Sequence, residues 1–404
     1  MKILVFNAGS SSQKSALYEI DSAPADKAPE TIWSGSADWS KKQGASEIKI
    51  SANGQTVNSE ISSDSRPEAI KQMLETLWSG PTKVIENLSE VAVVGHRVVH
   101  GGPDYHHSVR VTPEVKENIR RLAEFAPLHN PANLEGIEAI EQIKSDMPQV
   151  ATFDTSFHST IPQEVAVYPG PYAWFEQGIR RYGAHGISHQ YCTRMAGQIL
   201  GKDPASFKFI NCHLGNGSSL AAVKNGQSVD TTMGFTPLEG LMMGTRSGTL
   251  DPSILVYLLR EKGYDADKLE QTMNKESGLK GISGVSGDVR QIMQAIKEGN
   301  ERAKLALDMF VYRLRYFIGA MTASLSGVDV LAFTGGIGEN ADEIRSRVCA
   351  ELEYLHLSID HAKNAASLID QEISATGSAV RVLVIHTEED WEIARECWQL
   401  MKTV

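Results

Sequence analysis

The sequence predicts two related α/β domains. A strand–polar loop–strand pattern opens the chain and returns in its middle, strands alternate with helices around both copies, and 404 residues suit two domains of ordinary size. The first copy begins with an apolar strand over 3–6. The loop Asn7-Ala8-Gly9-Ser10-Ser11-Ser12 follows, then a strand carrying Lys14, Leu17 and Ile20. The second copy has a strand over 207–212, the loop His213-Leu214-Gly215-Asn216-Gly217-Ser218-Ser219 and a strand over 220–223. Lys224-Asn225-Gly226-Gln227 then carries the Asn-Gly hairpin signal. Both loops hold Asn, Gly and two Ser. The alternative to duplication is a chance likeness of two short loops.

The elements between the copies follow from local chemistry. Val91 to Val94 reads as a buried strand. Thr112-Pro113-Glu114 starts a helix, with a hydroxyl cap and Pro at the first helical position. Val115, Ile119, Leu122 and Ala126 line one face of it, and Pro127 ends it. Further strands are predicted over 149–153, 328–334 and 382–385. A helix starts at the Gly335-Gly336-Ile337-Gly338-Glu339-Asn340 loop and another runs over 392–401. The Pro/Ala-rich stretch 21–29 reads as a loop. The domains are drawn as 1–150, completed by 386–404, and 151–385.

Composition narrows the function. The chain is 41% apolar and 22% charged, as in soluble globular proteins, and its net charge is −11. That charge gives no global field to attract nucleic acid or an anionic membrane. The apolar N-terminal run is too short for a signal peptide, and the longest apolar stretch in a helical pattern, 254–259, is far short of a membrane span. Cys192, Cys212, Cys349 and Cys397 form no CxxC pair, so they read as plain buried thiols in a reducing cytoplasm.

Three Gly/Ser/Asn loops leave strand ends. Such loops offer backbone N–H groups and hydroxyls to anionic oxygens without bulky side chains in the way. No GxxxxGK[ST] motif is present, so this is not a P-loop enzyme. Gly336 to Ala341 fits the GxGxxA dinucleotide pattern, but no strand ending in an acidic ribose ligand follows at the right distance. Arginines and histidines cluster among glycines at Gly95-His96-Arg97-Val98-Val99-His100-Gly101-Gly102, at 181–189 and at Gly244-Thr245-Arg246-Ser247-Gly248. His185 and His189 stand four apart, as metal ligands on a helix can. They lack the Glu of HExxH, which favours cations reaching into a cleft over a zinc site.

These stretches resemble the acetate kinase family, of the superfamily that also holds sugar kinases, heat-shock chaperone ATPases and actin. The likeness continues through 126–131, Phe153-Asp154-Thr155-Ser156-Phe157-His158, 278–284 and Thr387-Glu388-Glu389, and spans Asn7 to Glu389 in family order. It implies two duplicated actin-like ATPase (ribonuclease H-like) domains around a cleft that closes on its substrates, and a homodimer. It also implies reversible in-line transfer of the ATP γ-phosphate to acetate, giving acetyl phosphate and ADP. A propionate or butyrate kinase of the same superfamily is the nearest alternative, and a nucleotide-dependent chaperone-like module a more distant one.

The resemblance also implies roles. Asn7 and Glu389 hold Mg²⁺, with Mn²⁺ as the alternative. Lys14, Ser10, Ser12 and His213, Leu214, Gly215, Asn216 and Gly217 meet the phosphates of ATP or ADP. Asp288, Val289 and Arg290, with Gly336, Ile337, Gly338, Glu339 and Asn340, hold the adenosine. Arg97 binds the substrate carboxylate, while Val99, Leu128 and Pro237 line its methyl pocket. Asp154 is the family's acid/base, His185 and Arg246 stabilise the transition state, and His129 supports them. Physical chemistry agrees on the cations, because two anions must be brought together. It leaves Asp154 open, since an ionised carboxylate needs no base, and an orienting role is equally available. The sequence departs from the family in three places. Ala184 stands where a Phe is usual in the methyl pocket, Thr249-Leu250-Asp251 replaces Asp-Ile-Asp, and His386 replaces Pro.

Overall fold

The computed structural model describes residues 1–402 apart from 10–11, 43–44, 62–64, 128 and 367, with the side chains of 40–42 also left aside. Ser10 and Leu128 of the expected site therefore lie outside the described residues. The chain divides into two compact units, one of Met1–Phe157 with Glu388–Val404 and one of His158–Thr387.

The first unit is built on eight strands. They are β1 (Lys2–Ala8), β2 (Ser12–Glu19), β3 (Trp33–Lys42), β4 (Ala45–Ala52), β5 (Gln55–Ile61), β6 (Val91–Val98), β7 (Val109–Arg110) and β8 (Gln149–Phe153), in the order β5-β4-β3-β2-β1-β6-β8-β7. β1 to β5 form an antiparallel meander, and β6 and β8 add in parallel on the far side of β1. Ile3, Leu4, Val5 and Phe6 are all buried, because β1 lies mid-sheet with a helix over each face. Neighbouring residues of β6 show both faces. His96 looks toward the helix Asn130–Ile143, while Gly95 looks toward the helix Glu389–Lys402, as strand alternation requires. A Cβ on Gly95 would lie 2.5 Å from Cys397 Sγ and 2.7 Å from Ile393 Cγ2, so glycine is what lets that last helix lie close.

The second unit repeats the plan. Its strands are β9 (Phe209–Leu214), β10 (Ser218–Lys224), β11 (Gln227–Thr231), β12 (Val330–Thr334), β13 (Gln371–Glu372) and β14 (Arg381–Val384), ordered β11-β10-β9-β12-β14-β13. β9, β10 and β11 form the antiparallel meander, with Asn225 (φ 55°) and Gly226 (φ 72°) in the predicted tight turn. β12 and β14 are the parallel additions. Phe310, Leu314 and Ile318 of the helix Glu301–Leu325 share a core with Leu220, Ala222 and Leu331.

Boundaries move where pairing outlasts the apolar pattern. β6 continues through Arg97 to Val98, since β8 pairs with it from Val94 to Val98. β9 takes in His213 and Leu214, because His213 is paired with both Ser219 and Thr334, so the polar loop shrinks to 215–217. The helix Pro113–Arg121 tightens into a 3₁₀ turn before Pro127, and the last helix starts at Glu389. β8 falls in the first unit, so the unit runs past the expected boundary at 150 to Phe157. All four cysteines are buried, and among the described residues no helix is long and apolar enough to cross a membrane.

Candidate active site

In the first unit, the carboxyl ends of three adjacent strands β1, β6 and β8 bring together Asn7, Arg97 and Asp154. Strand ends of this kind are where open α/β sheets hold their ligands. Arg97 donates from Nε (3.0 Å) and Nη2 (2.5 Å) to Asp154 Oδ2, and from Nη1 to Asn7 Oδ1 at 3.3 Å. Asn7 Nδ2 in turn donates to Asp390 Oδ1 at 2.9 Å and to Glu389 Oε2 at 3.5 Å. Burial works against the Arg97 cation, but Asp154 and Glu389 more than compensate and hold its pKa above the ordinary value. Burial also pushes Asp390 up to about 6, aided by Glu389 beside it. Lys14 sits across the β1–β2 ladder from Asn7 and is exposed, with Ser12 half-exposed on the same strand.

Two asparagines shape the loop that leaves Arg97. Asn133 Oδ1 accepts from Val99 N, and its Nδ2 donates to Ala8 O. Asn130 exchanges hydrogen bonds with both the N–H and the C=O of His100. Val99 is thereby pinned and buried. His129 stands half-buried at the N-terminal boundary of the helix that carries both asparagines.

The second unit holds the other group. His185 starts the helix Gly186–Leu200 in the left-handed conformation (φ 55°), a strained setting for a residue with a Cβ. Its ring stacks on His213, with centroids 4.3 Å apart. Gly217 faces these groups. A Cβ there would lie 3.2 Å from Arg246 Nη1 and 3.5 Å from His185 Nε2, so a side chain would crowd the space where Arg246 and His185 converge. Arg246 donates to Pro237 O at 3.1 Å. Among the described residues no carboxylate pairs with it, and burial alone pulls its pKa below the ordinary value. A desolvated cation without a counter-ion is poised for an anionic ligand. The arginine loop is tied to the Gly/Asn loop by the hydrogen bond from Gly244 N to Asn216 O.

Asp288 caps the helix Val289–Lys297, accepting from Arg290 N, and pairs with the exposed Arg290 side chain, while Val289 is buried. In the short helix Gly335–Asn340, Gly336 is open and Asn340 bonds back to Gly336 O. Glu339 turns inward, accepting from Gly335 N and pairing with His386 Nδ1 at 2.6 Å. His386, one of the three departures, thus ties the end of β14 to this turn. Ala184 is buried against Met233 and Met243.

A family model described as the acetokinase family matches residues 2–395. The chain belongs to the acetokinase family. Within that family, an acetate kinase of Nostoc punctiforme is 58% identical over 404 residues, covering all of both chains. The structure of an acetate kinase of Porphyromonas gingivalis superposes with a TM-score of 0.91 at 41% identity, covering 99% of each chain. That of a propionate kinase of Francisella tularensis gives 0.89 at 38% identity, covering 98% of each. The fold is accordingly of the actin-like ATPase type.

Sequence reasoning missed several residues of this candidate site. Asn130 and Asn133 lay beside a recognised motif, yet nothing local marked them as clamps. Arg345 is fully buried, and its Nη1 donates to Gly338 O and Glu339 O, closing the carbonyl end of the Gly-rich turn. Arg345 has an ordinary helical setting in sequence, and no short-range pattern announces it.

Proposed function

We propose that this chain transfers the γ-phosphoryl group of ATP to acetate, reversibly and with Mg²⁺, giving acetyl phosphate and ADP. One observation carries the reading. Arg246, half-buried and without a carboxylate partner among the described residues, converges with His185 on Gly217, in a loop suited to phosphate oxygens.

In the forward direction an acetate oxygen forms the new bond to the γ-phosphorus, and the bond to the bridging oxygen of ADP breaks. No proton need move, because the acid enters ionised and ADP leaves as an anion. Arg97 receives the acetate carboxylate, with Asp154 holding its fork. Val99, Leu128 and Pro237 line the methyl group, and His129 supports this side. Arg246 and His185 stabilise the charge on the equatorial oxygens. Lys14, Ser10 and Ser12, with residues 213–217, hold the phosphates, and 288–290 with 336–340 hold the adenosine.

Asn7, Glu389 and Asp390 offer the oxygen donors that a hard divalent cation prefers. They would hold Mg²⁺, which when bound neutralises phosphate charge. The enclosed Asp390, with its raised pKa, is consistent with a place where a cation relieves crowded carboxylates.

A homodimer is part of the proposal. The helix Pro252–Glu261 has no buried residue, although Ile254, Val256, Tyr257 and Leu259 are all large and apolar. Leu305, Tyr312 and Tyr316 of the helix Glu301–Leu325 are likewise exposed. A second copy of the chain is the partner that covers such a surface.

Propionate as a good substrate is the second reading. Ala184, in place of a ring, packs against two adaptable methionines. A propionate kinase structure also resembles the chain closely.

The test is to trap acyl phosphate with hydroxylamine, offering Mg-ATP with acetate, propionate and butyrate in turn. Hydroxamate from acetate is expected. Slow ATP hydrolysis indifferent to all three acids would overturn the proposal in favour of a nucleotide-driven binding module.

A further inference from the structure

Behind the two stacked imidazoles of the second unit run two chains of buried and half-buried polar groups. In the first, Asn211 Nδ2 donates to Nδ1 of His189 at 2.9 Å. Burial keeps the pKa of His189 well below the ordinary imidazole value, so the ring is neutral. With Nδ1 accepting, its proton sits on Nε2, which donates to Ser219 Oγ at 2.8 Å. Ser219 has one hydrogen of its own, and among the described residues the acceptor in reach of it is Nδ1 of His185, 2.9 Å from its oxygen. A neutral His185 therefore carries its proton on Nε2, the nitrogen that lies beside Gly217.

The second chain has the same polarity. Thr387 Oγ1 donates to Ser188 Oγ at 2.8 Å, leaving the Ser188 hydrogen for Nδ1 of His213 at 2.8 Å. Nε2 of His213 then carries the proton. It lies 4.0 Å from where a Cβ on Gly215 would stand, on the same tight loop.

We propose that Asn211, His189 and Ser219 form a positioning relay that fixes His185 as an Nε2–H donor toward the transferring phosphoryl group, and that Thr387 and Ser188 do the same for His213. The inference rests on the reading of His185 as a phosphoryl-facing group. Reversing the first relay requires every member to turn. A proton on Nδ1 of His185 would occupy the Ser219 oxygen from the front, Ser219 would point its hydrogen at the N–H of His189, and His189 would have to present an N–H to the Asn211 amide. Unless the Asn211 amide turns as well, to present the Oδ1 that has no partner among the described residues, one of these steps leaves a buried donor facing a donor. Stacking adds a second reason. Two imidazolium rings 4.3 Å apart would repel, a cost that two neutral rings avoid.

The experiment is a two-bond ¹⁵N–¹H spectrum of the histidine rings in the full-length, nucleotide-free protein, with His185 and His213 assigned through His185→Asn and His213→Asn. Both Nδ1 atoms are expected in the acceptor range and both Nε2 atoms in the N–H range. Ser219→Ala is expected to mix the tautomers of His185 and lower kcat about 10–100-fold, the scale at which outer partners of functional histidines act. The KM values for ATP and acetate should stay within about twofold. Ser219→Thr, which keeps the hydroxyl, should restore most of the turnover. A proton on Nδ1 of His185, or Ser219→Ala with normal kcat, overturns the relay. Should Ser219→Ala fail to fold, the tautomers of the unaltered protein and the turnover of Ser219→Thr still decide. His185→Asn with normal kcat would instead overturn the phosphoryl-facing reading, whatever the tautomers show.

Discussion

Arg97 directs Nε and Nη2 at the same oxygen of Asp154, at 3.0 and 2.5 Å. Asp154 is almost wholly buried and Arg97 nearly so, with side-chain exposures of 2% and 17%. A carboxylate so engaged is a poor base and a good orienting group. Its charge keeps the guanidinium ionised and its geometry sets which donors remain for a ligand.

Asp154→Asn should therefore act through Arg97. It keeps the shape and removes the charge, so the fork loosens by a fraction of an ångström. We expect kcat/KM for acetate to fall about 100-fold, the scale of a small misplacement of a reacting group. The acid limb of the pH–rate profile should survive. Loss of that limb would make Asp154 a general base, and near-normal turnover would exclude both roles.

Arg246 differs from Arg97 in having no carboxylate partner among the described residues. Its charge is free for the transition state. Arg246→Ala is expected to lower kcat about 10³-fold, the lower range for an arginine on a transferring phosphoryl group. The KM for acetate should rise far less. Arg246→Lys should recover only part of the loss, because an ammonium cannot fork across two oxygens. A kcat near that of the unaltered protein would exclude Arg246 from the phosphoryl site.

Ala184 tests specificity. Its neighbours Met233 and Met243 are both buried, and methionines yield to added volume more readily than branched side chains do. Restoring a ring with Ala184→Phe should lower the ratio of kcat/KM for propionate over acetate. One extra methylene is worth about 0.8 kcal/mol of burial, so a fall of about fourfold is expected. A ratio that stays level or rises would detach Ala184 from acyl selection.

How far the site could be read from sequence depended on whether its signals were local. The Asn7 and Gly215–Gly217 loops were legible because glycine and serine at strand ends have few other purposes, and Arg246 because glycines flank it. The duplicated plan was legible from the two hairpins, and both sheets carry it. The end of the arginine strand, from Gly95 to Val98, was not read as strand, since glycine breaks an apolar pattern. There it admits the last helix. The row Ser219, His189 and Asn211 was invisible as a row, although Ser219 and His189 each lay in a recognised stretch. They stand far apart in sequence and meet only because β9 pairs with β10 while a helix packs across them. Hydrogen-bond polarity of that kind has no linear signature.

Buried histidines should make the protein sensitive to acid. Burial lowers His96 and His158 to about 4, and His189 further below its ordinary value. Unfolded, each titrates near 6.5. Between those values the unfolded chain binds protons that the folded chain refuses, so stability is full above about pH 6.5 and is lost as pH falls. Asp390, raised to about 6, acts with the opposite sign in the same window. We expect urea-unfolding free energies near pH 5.5 to fall as pH drops, with a slope that corresponds to a difference of roughly two bound protons. His96→Gln should flatten that slope by about one proton. A slope near zero in the unaltered protein would mean the rings are not held neutral.

The exposed helix Pro252–Glu261 yields the last prediction. Its residues 254–259 are all apolar, yet the unit to which it belongs buries none of the helix. Arg313 Nη1 donates to Thr249 O at 3.1 Å, which ties the start of this segment to the helix Glu301–Leu325. On that second helix Leu305, Tyr312 and Tyr316 recur at helical spacing and are more than half exposed. An isologous pairing of two copies would cover both surfaces at once. Val256→Glu combined with Tyr257→Glu places four added charges in a two-fold interface, where each faces a desolvation cost. Sedimentation should show a dimer for the unaltered protein and a monomer for the double variant, with its far-UV circular dichroism unchanged. An unaltered protein that sediments as a monomer at micromolar concentration would exclude a self-covering role for this helix.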